Sequence, residues 1–328
     1  MTTDDPPTSA PTLARELADA RRDRVPVAPF SGRGLLADEA AAYAVQAAGL
    51  AGRRADGEVV VGAKLGFTSR VMRRAMGVAT PNLGWLTDAM VVTGRDTADV
   101  EVDLATLIHP KVEPELAVRL RHDLGPSAGP AAVRAAIDAV APCLEVVDSR
   151  WRSFRFGPLD NIADNSSSGV VVLGGWVDPA DRDLAAVGCL VHVDGVLAET
   201  AAVAAAMDGP VPALQWLAAH ARRPGDPDGL PLRAGDIVIT GGLTAPATLV
   251  PGRRVTVHLD GLGGVGMVAT GAMPTDAGHD TDLDRLLAAE TGAPLPSDLV
   301  ARHVHASDDV PAPATATTAI ATAATGGA

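Results

Sequence analysis

Ile108-His-Pro-Lys-Val-Glu-Pro-Glu-Leu-Ala-Val118 sets two acids, Glu113 and Glu115, among the apolar residues Val112, Leu116 and Val118. The alternation predicts a strand, in which residues i and i+2 project from the same face. Both carboxylates therefore stand side by side, within reach of a single ion. A third acid, Glu145, sits in another apolar run, Pro142-Cys-Leu-Glu-Val-Val147. Three buried carboxylates repel one another and resist desolvation unless protons or a cation neutralise them. An all-oxygen ligand set of this kind suits a hard divalent ion, Mg2+ or Mn2+, with coordination positions left for water and substrate.

Lysine is scarce around this motif and throughout the chain. Of the 27 basic residues only Lys64 and Lys111 are lysine; the other 25 are arginine. Lysine differs from arginine as a compact charge whose pKa responds to burial, so the two survivors are candidate site residues. Lys64 follows the apolar Val59–Val61 and precedes Leu65, which points to burial.

The remaining composition bounds the function. The 328 residues are 47% hydrophobic, ample for a large core, and carry a net charge of −13. So acidic a chain, with no basic cluster, argues against nucleic acid and against anionic membranes. Cys143 and Cys189 lie in apolar segments without zinc-ligand spacing and read as free thiols of a reducing compartment. No apolar run reaches the length of a membrane span, and the acidic, polar start is unlike a signal peptide. The expectation is a soluble, cytoplasmic protein. No GxGxxG follows a strand and no P-loop occurs, so no organic cofactor is expected.

Along the chain, residues 1–10 read as disordered and 11–57 as a helical region, with helices over 11–23 and 36–52. Strand signals begin at 58–62. A short helix is expected over Ser69–Met76, capped by Thr68 or Ser69, and a turn at Pro81-Asn-Leu-Gly84. Strands are then expected at 88–92, 112–120, 142–148, 168–174, 188–194, 196–202, 236–240, 253–259 and 264–269, with helices at 130–139 and 210–222. This pattern is neither βα alternation nor a regular meander. It predicts an α+β fold around a mixed, rolled or barrel-like sheet over 58–270. Residues 271–328 form an extension with one possible helix at 281–290, ending in a disordered Ala/Thr/Pro tail.

Four segments together carry a family resemblance. They are Gly62-Ala-Lys-Leu-Gly-Phe-Thr-Ser-Arg70 running on to Met76-Gly-Val-Ala-Thr-Pro-Asn-Leu-Gly84; His109-Pro-Lys-Val-Glu-Pro-Glu-Leu-Ala117; Glu145-Val-Val-Asp-Ser-Arg150 with Asp160-Asn-Ile-Ala-Asp-Asn-Ser-Ser167; and Gly235-Asp-Ile-Val-Ile-Thr-Gly-Gly-Leu-Thr244. In this order they resemble the 4-oxalocrotonate decarboxylase and 2-keto-4-pentenoate hydratase family, within the fumarylacetoacetate hydrolase superfamily. The resemblance spans roughly residues 11–270. It implies the fold of that superfamily, Glu113, Glu115 and Glu145 as Mg2+ or Mn2+ ligands, and Lys64 as the active-site lysine. It implies substrate contacts at Asn82, Leu83, Ser166, Ser167 and Thr244, with Asp148 and Arg150 supporting the metal-bearing strand. It further implies a 2-oxo acid substrate, a homo-oligomer, and a possible complex with a partner hydratase.

Hydratases of the family usually carry an acid after the proline of the P-x-x-G turn, where this chain has Asn82. That departure, and Asp148-Ser-Arg-Trp-Arg-Ser-Phe-Arg-Phe156 with Pro158-Leu-Asp-Asn161, resemble the decarboxylase branch. A second departure is Met207-Asp-Gly-Pro210, where Gly-His-Pro or Gly-Asn-Pro is common. The expected activity is a lyase that decarboxylates 2-oxohex-3-enedioate. The alternatives are hydration of 2-hydroxypenta-2,4-dienoate, a non-catalytic partner of another enzyme, or a tautomerase or C–C hydrolase of the superfamily. The hydrolases generally use an N-terminal His–Glu pair, and the first histidine here is His109.

Overall fold

The computed structural model describes residues 9–70, 73, 78–94, 99–180, 182–222 and 231–273. Residues up to His279 form one compact unit. The expected helix at 281–290 and the tail lie outside the described residues. So does most of the helix expected over Ser69–Met76.

Two helices come first, α1 (Ala10–Asp23) and α2 (Glu39–Ala55). Asp38 begins α2 by accepting from the Ala41 N–H, which satisfies one of the open amides of the first turn. Among the described residues thirteen strands follow. The first seven are β1 (Val60–Gly66), β2 (Asn82–Thr87), β3 (Val91–Thr93), β4 (Val100–Asp103), β5 (Lys111–Leu120), β6 (Ile137–Val147) and β7 (Ser168–Leu173). The others are β8 (Gly188–Val193), β9 (Val196–Ala202), β10 (Ile237–Ile239), β11 (Ala247–Thr248), β12 (Arg254–Leu259) and β13 (Gly263–Thr270). Helices α3 (Pro130–Ala136), α4 (Pro158–Ala163) and α5 (Pro210–His220) interrupt them, each with proline in its first turn, where no N–H is needed.

The strands make a curled, mixed eight-stranded sheet of order β2-β1-β10-β5-β6-β7-β3, with β11 also on β5, and a five-stranded sheet of order β4-β13-β12-β8-β9. The fold is thus α+β with N-terminal helices, as expected. One face of the larger sheet, with Leu65, Trp85, Leu116, Leu144 and Val172, packs in the main core with Val255, Val257 and Met267 of the smaller sheet and Leu214 and Leu217 of α5. The opposite face holds a smaller apolar cluster of Leu86, Ala117, Cys143, Val171 and Ile239. The N-terminal helices close over Phe30, Trp151 and Ile162. Among the described residues no helix is long and apolar enough to cross a membrane.

Several local expectations are corrected. Pro81–Gly84 is not a free turn: Asn82 opens β2, whose pairing with β1 makes a strand of a Gly-containing segment. The expected strand 88–92 is a helical turn, Asp88–Met90, before the short β3. The first strand continues from Val60 to Gly66, so Lys64 lies inside it. Helix α3 stops at Ala136 and β6 starts at once with Ile137, five residues before the expected strand. There the near-continuous burial of a central strand, covered on both faces, overrides local helical propensity.

Candidate metal and active site

Strand register assembles the candidate residues. Glu113 of β5 stands directly opposite Glu145 of β6, and Glu115 stands opposite Cys143. Opposed residues share a face, so all three glutamates project together. On the other side of β5, Ala117 pairs with Ile239 of β10, and Ile239 pairs with Lys64 of β1. Lys64 therefore shares that face although two strands away.

One carboxylate oxygen from each of the three glutamates lies within 4.8 Å of the others. Glu115 and Glu145 are buried, at 0% and 1% exposure, while Glu113 is partly exposed. Lys64 Nζ is 2.6 Å from Glu145 Oε1 and donates to the Ser166 carbonyl at 2.8 Å. The Gly241 N–H donates to Glu115 Oε2 at 2.6 Å. Two buried oxygens, Glu115 Oε1 and Glu145 Oε2, have no hydrogen-bond partner. Burial, reinforced by the charge of Glu145, pushes Glu113 up to about 7 against the opposing pull of Lys64 and Lys111. Glu115 is raised well above the usual carboxylate range, by burial first and then by Glu145 and Glu113. One salt bridge cannot balance three clustered acids, and orphaned buried acceptors are costly. A hard dication would satisfy both deficits at once, so these residues fit Mg2+ or Mn2+.

Proline and glycine shape the opening. Pro114 lies in the middle of β5 but lacks an N–H on the edge that faces β10 and β11. Pairing is interrupted there: β10 bonds 117–119, β11 bonds 111–112, and the intervening loop passes between them, with Leu243 N–H donating to Pro114 O at 2.9 Å. This detour puts the Gly241 N–H onto Glu115. A Cβ at Gly242 would stand 2.7 Å from Glu113 Oε2. Asn165, Ser166 and Ser167 are consecutive non-glycine residues at φ 51°, 54° and 55°. That left-handed run is strained, and it turns the Ser166 carbonyl to Lys64.

The remaining sequence candidates divide. Asn82, Ser166 and Ser167 share a buried network: Asn82 Nδ2 donates to Asn161 Oδ1 at 2.7 Å, Ser166 Oγ donates to Asn82 Oδ1 at 3.0 Å, and Asn161 Nδ2 donates to Ser167 Oγ at 3.1 Å. Leu83 stands apart from this network. Being adjacent to Asn82 in a strand, its side chain points to the other face and packs in the main core. Thr244 is partly buried on the loop beside Glu113, with its hydroxyl donating to Ala245 O at 3.3 Å. Asp148 and Arg150 are both buried, with separate partners. Asp148 accepts the N–H groups of Ile108 and His109 at 2.9 and 2.6 Å, anchoring the approach to β5. Arg150 is paired with Asp164 and donates to Ser168 O at 3.0 Å.

Two residues of the His-Pro-Lys run gain their surroundings in three dimensions. Lys111 shares the face of Glu113, is 7% exposed, and holds its ammonium 4.4 Å from the centroid of Phe154. His109 Nδ1 lies 3.0 Å from Ser149 O, which leaves Nε2 buried with no hydrogen-bond partner. The scarcity of lysine marks Lys111 in the sequence, whereas the one signal for His109 is its place ahead of the paired glutamates.

Residues 63–268 match the model of the fumarylacetoacetate (FAA) hydrolase C-terminal family. The chain is 40% identical over 208 residues to 2-hydroxypent-2,4-dienoate hydratase of Pseudomonas putida, covering 63% of this chain and 92% of that protein. It is 38% identical over 211 residues to a 4-oxalocrotonate decarboxylase of Pseudomonas sp, covering 64% and 79%. Among solved structures, 4-oxalocrotonate decarboxylase from Pseudomonas putida G7, complexed with magnesium and adipate, superposes with a TM-score of 0.74 at 33% identity, over 79% of this chain and 97% of that one.

Proposed function

Because the chain belongs to the fumarylacetoacetate hydrolase family, and within it to the decarboxylases and hydratases of the meta-cleavage branch, we propose that it is the decarboxylase. Its substrate is then 2-oxohex-3-enedioate and its products are 2-hydroxypenta-2,4-dienoate and CO2. The observation that carries this reading is the bonding of Asn82. Its amide donates to Asn161 and accepts from Ser166, so it is held as a neutral group. By the family resemblance, hydratases place an acid there, and an amide cannot take a proton from water as a general base.

Glu113, Glu115 and Glu145 would hold the divalent ion, which when bound supplies Lewis-acid stabilisation of negative charge on a 2-oxo oxygen. In the reaction the bond to the remote carboxyl carbon breaks and CO2 leaves. Its electron pair moves through the conjugated chain to the 2-oxo oxygen, which takes up a proton. Two of the three N–H bonds of Lys64 are directed at Glu145 and Ser166, so the third is left for substrate and can deliver that proton. Ser166, fixed by Asn82, keeps the lysine aimed. Lys111, beside Glu113, offers a second cation for the second carboxylate that only the diacid possesses.

The experiment supplies Mg2+-loaded protein with 2-oxohex-3-enedioate and, separately, 2-hydroxypenta-2,4-dienoate, and follows ultraviolet absorbance and CO2. CO2 release from the diacid is expected. Loss of the dienoate signal without CO2 would make the protein a hydratase, and inertness toward both with metal bound would favour a non-catalytic partner.

A further inference from the structure

A cavity of about 300 Å3 lies away from the glutamate trio, between α1, α2 and the turn at 163–165. Its walls are mixed. Leu17, Val45 and Leu50 are apolar, while Arg21 and Arg53 enter from the last turns of the two helices. Arg53 spends one nitrogen on Glu58 at 3.1 Å, and its side chain is 18% exposed. Arg21 is half-buried and donates no side-chain hydrogen bond among the described residues. Burial lowers both guanidiniums from their ordinary pKa; Arg150 adds to this for Arg21 and Arg21 for Arg53, while Glu58 opposes it at both and Asp56 at Arg21.

Basic side chains in a last helical turn are favoured by the helix dipole. That accounts for the exposed Arg22 and Arg54. It does not account for Arg21, drawn half out of water with no hydrogen-bond acceptor among the described residues, in a cavity where Arg15, Arg21, Arg53 and Arg150 outnumber the carboxylates of Asp56 and Asp164 and of the adjacent Glu58, so that an added anion is favoured. Arginine pairs with carboxylates through two parallel hydrogen bonds, and the apolar walls can cover a short hydrocarbon.

We propose that this cavity is a second ligand site, which takes a short-chain carboxylate through Arg21 and Arg53 and lays its hydrocarbon on Leu17, Val45 and Leu50. The site is independent of the reaction assigned above and stands or falls without it.

Calorimetric titration of the full-length, Mg2+-loaded protein with butyrate, and separately with inorganic phosphate, tests it. Butyrate binding should persist in Glu113→Gln, where the glutamate trio is impaired. It should weaken at least tenfold in Arg21→Gln and in Ala18→Leu, an exposed position at the cavity rim whose larger side chain blocks entry without touching the cations. Phosphate, with nothing to place on the apolar wall, should bind at least tenfold more weakly than butyrate. The proposal is overturned if Glu113→Gln binds no butyrate, or if Ala18→Leu or a folded Arg21→Gln binds it as the wild type does. Equal affinity for phosphate would overturn the assignment of a carboxylate with a hydrocarbon tail. Should Arg21→Gln fail to fold, Ala18→Leu decides alone.

Discussion

Glu113 and Glu145 face each other as a directly opposed pair across β5 and β6, with Lys64 against only one of them. Like charges in that register destabilise a sheet. The arrangement therefore gives the metal-free and metal-bound proteins opposite responses to mutation.

Glu115→Gln removes one buried ionisable carboxyl yet keeps an oxygen to accept the Gly241 N–H. In EDTA this variant should be more stable than the wild type, by roughly 1–2 kcal/mol. It should also lose the stabilisation of about 2.7 kcal/mol that Mg2+ at a hundred times its Kd gives the wild type. Urea melts with EDTA and with Mg2+ measure both. A Glu115→Gln protein that Mg2+ stabilises like the wild type would remove Glu115 from the metal site.

The pH dependence has a defined sign. Glu113 titrates at about 7 in the folded protein against 4.5 ordinarily, so the folded metal-free state holds this proton more tightly than the unfolded state. Stability without metal should then fall as pH rises from about 4.5 through 7, because the unfolded state binds fewer protons over that window. Mg2+ competes with the proton, so its affinity should rise over the same range with proton release. Denaturant melts in EDTA at stepped pH check the first statement, and titrations of Mg2+ in buffers of different ionisation enthalpy check the second. Metal-free stability that climbs with pH would contradict this account.

Two glycines make a matched pair. A Cβ at Gly84 would stand 2.5 Å from the Asn165 carbonyl and 3.0 Å from Lys64 Cγ, so Gly84→Ala must displace either the strained turn or the lysine. It should lower stability by about 1–3 kcal/mol and turnover at least tenfold. Gly52, inside α2, has nothing within 4 Å, and Gly52→Ala should raise stability by about 0.5–1 kcal/mol with unchanged turnover. Melting curves and initial rates of the two variants supply the comparison. Similar behaviour of both would mean that Gly84 is not a packing constraint on Lys64.

Lys111 separates the two activities. If its ammonium receives the second carboxylate, Lys111→Gln should raise KM for 2-oxohex-3-enedioate at least tenfold, with a smaller change in kcat, as expected when binding common to ground and transition states is lost. Its effect on any turnover of the monoacid dienoate should be slight. Equal impairment with both substrates would reduce Lys111 to a neighbour that tunes Glu113 electrostatically.

By itself the sequence determined the periodicity of β5 and the chemistry of the residues it carries. Alternation about Glu113 and Glu115 required a shared face, burial of Glu145 followed from its apolar run, and the scarcity of lysine marked Lys64 and Lys111. Those are local properties, written within a few residues of each other. Only the tertiary structure decided which strands lie side by side: that Glu145 opposes Glu113, that Lys64 reaches the same face by way of β10, and that Leu83 faces the core while Asn82 faces the site. It also decided that Pro114 opens a gap for the Gly241 loop and that Arg150 chooses Asp164 over Asp148. Register and partner choice arise from packing between segments up to 175 residues apart, counted from Lys64 to Ile239, and no pattern within one segment encodes them.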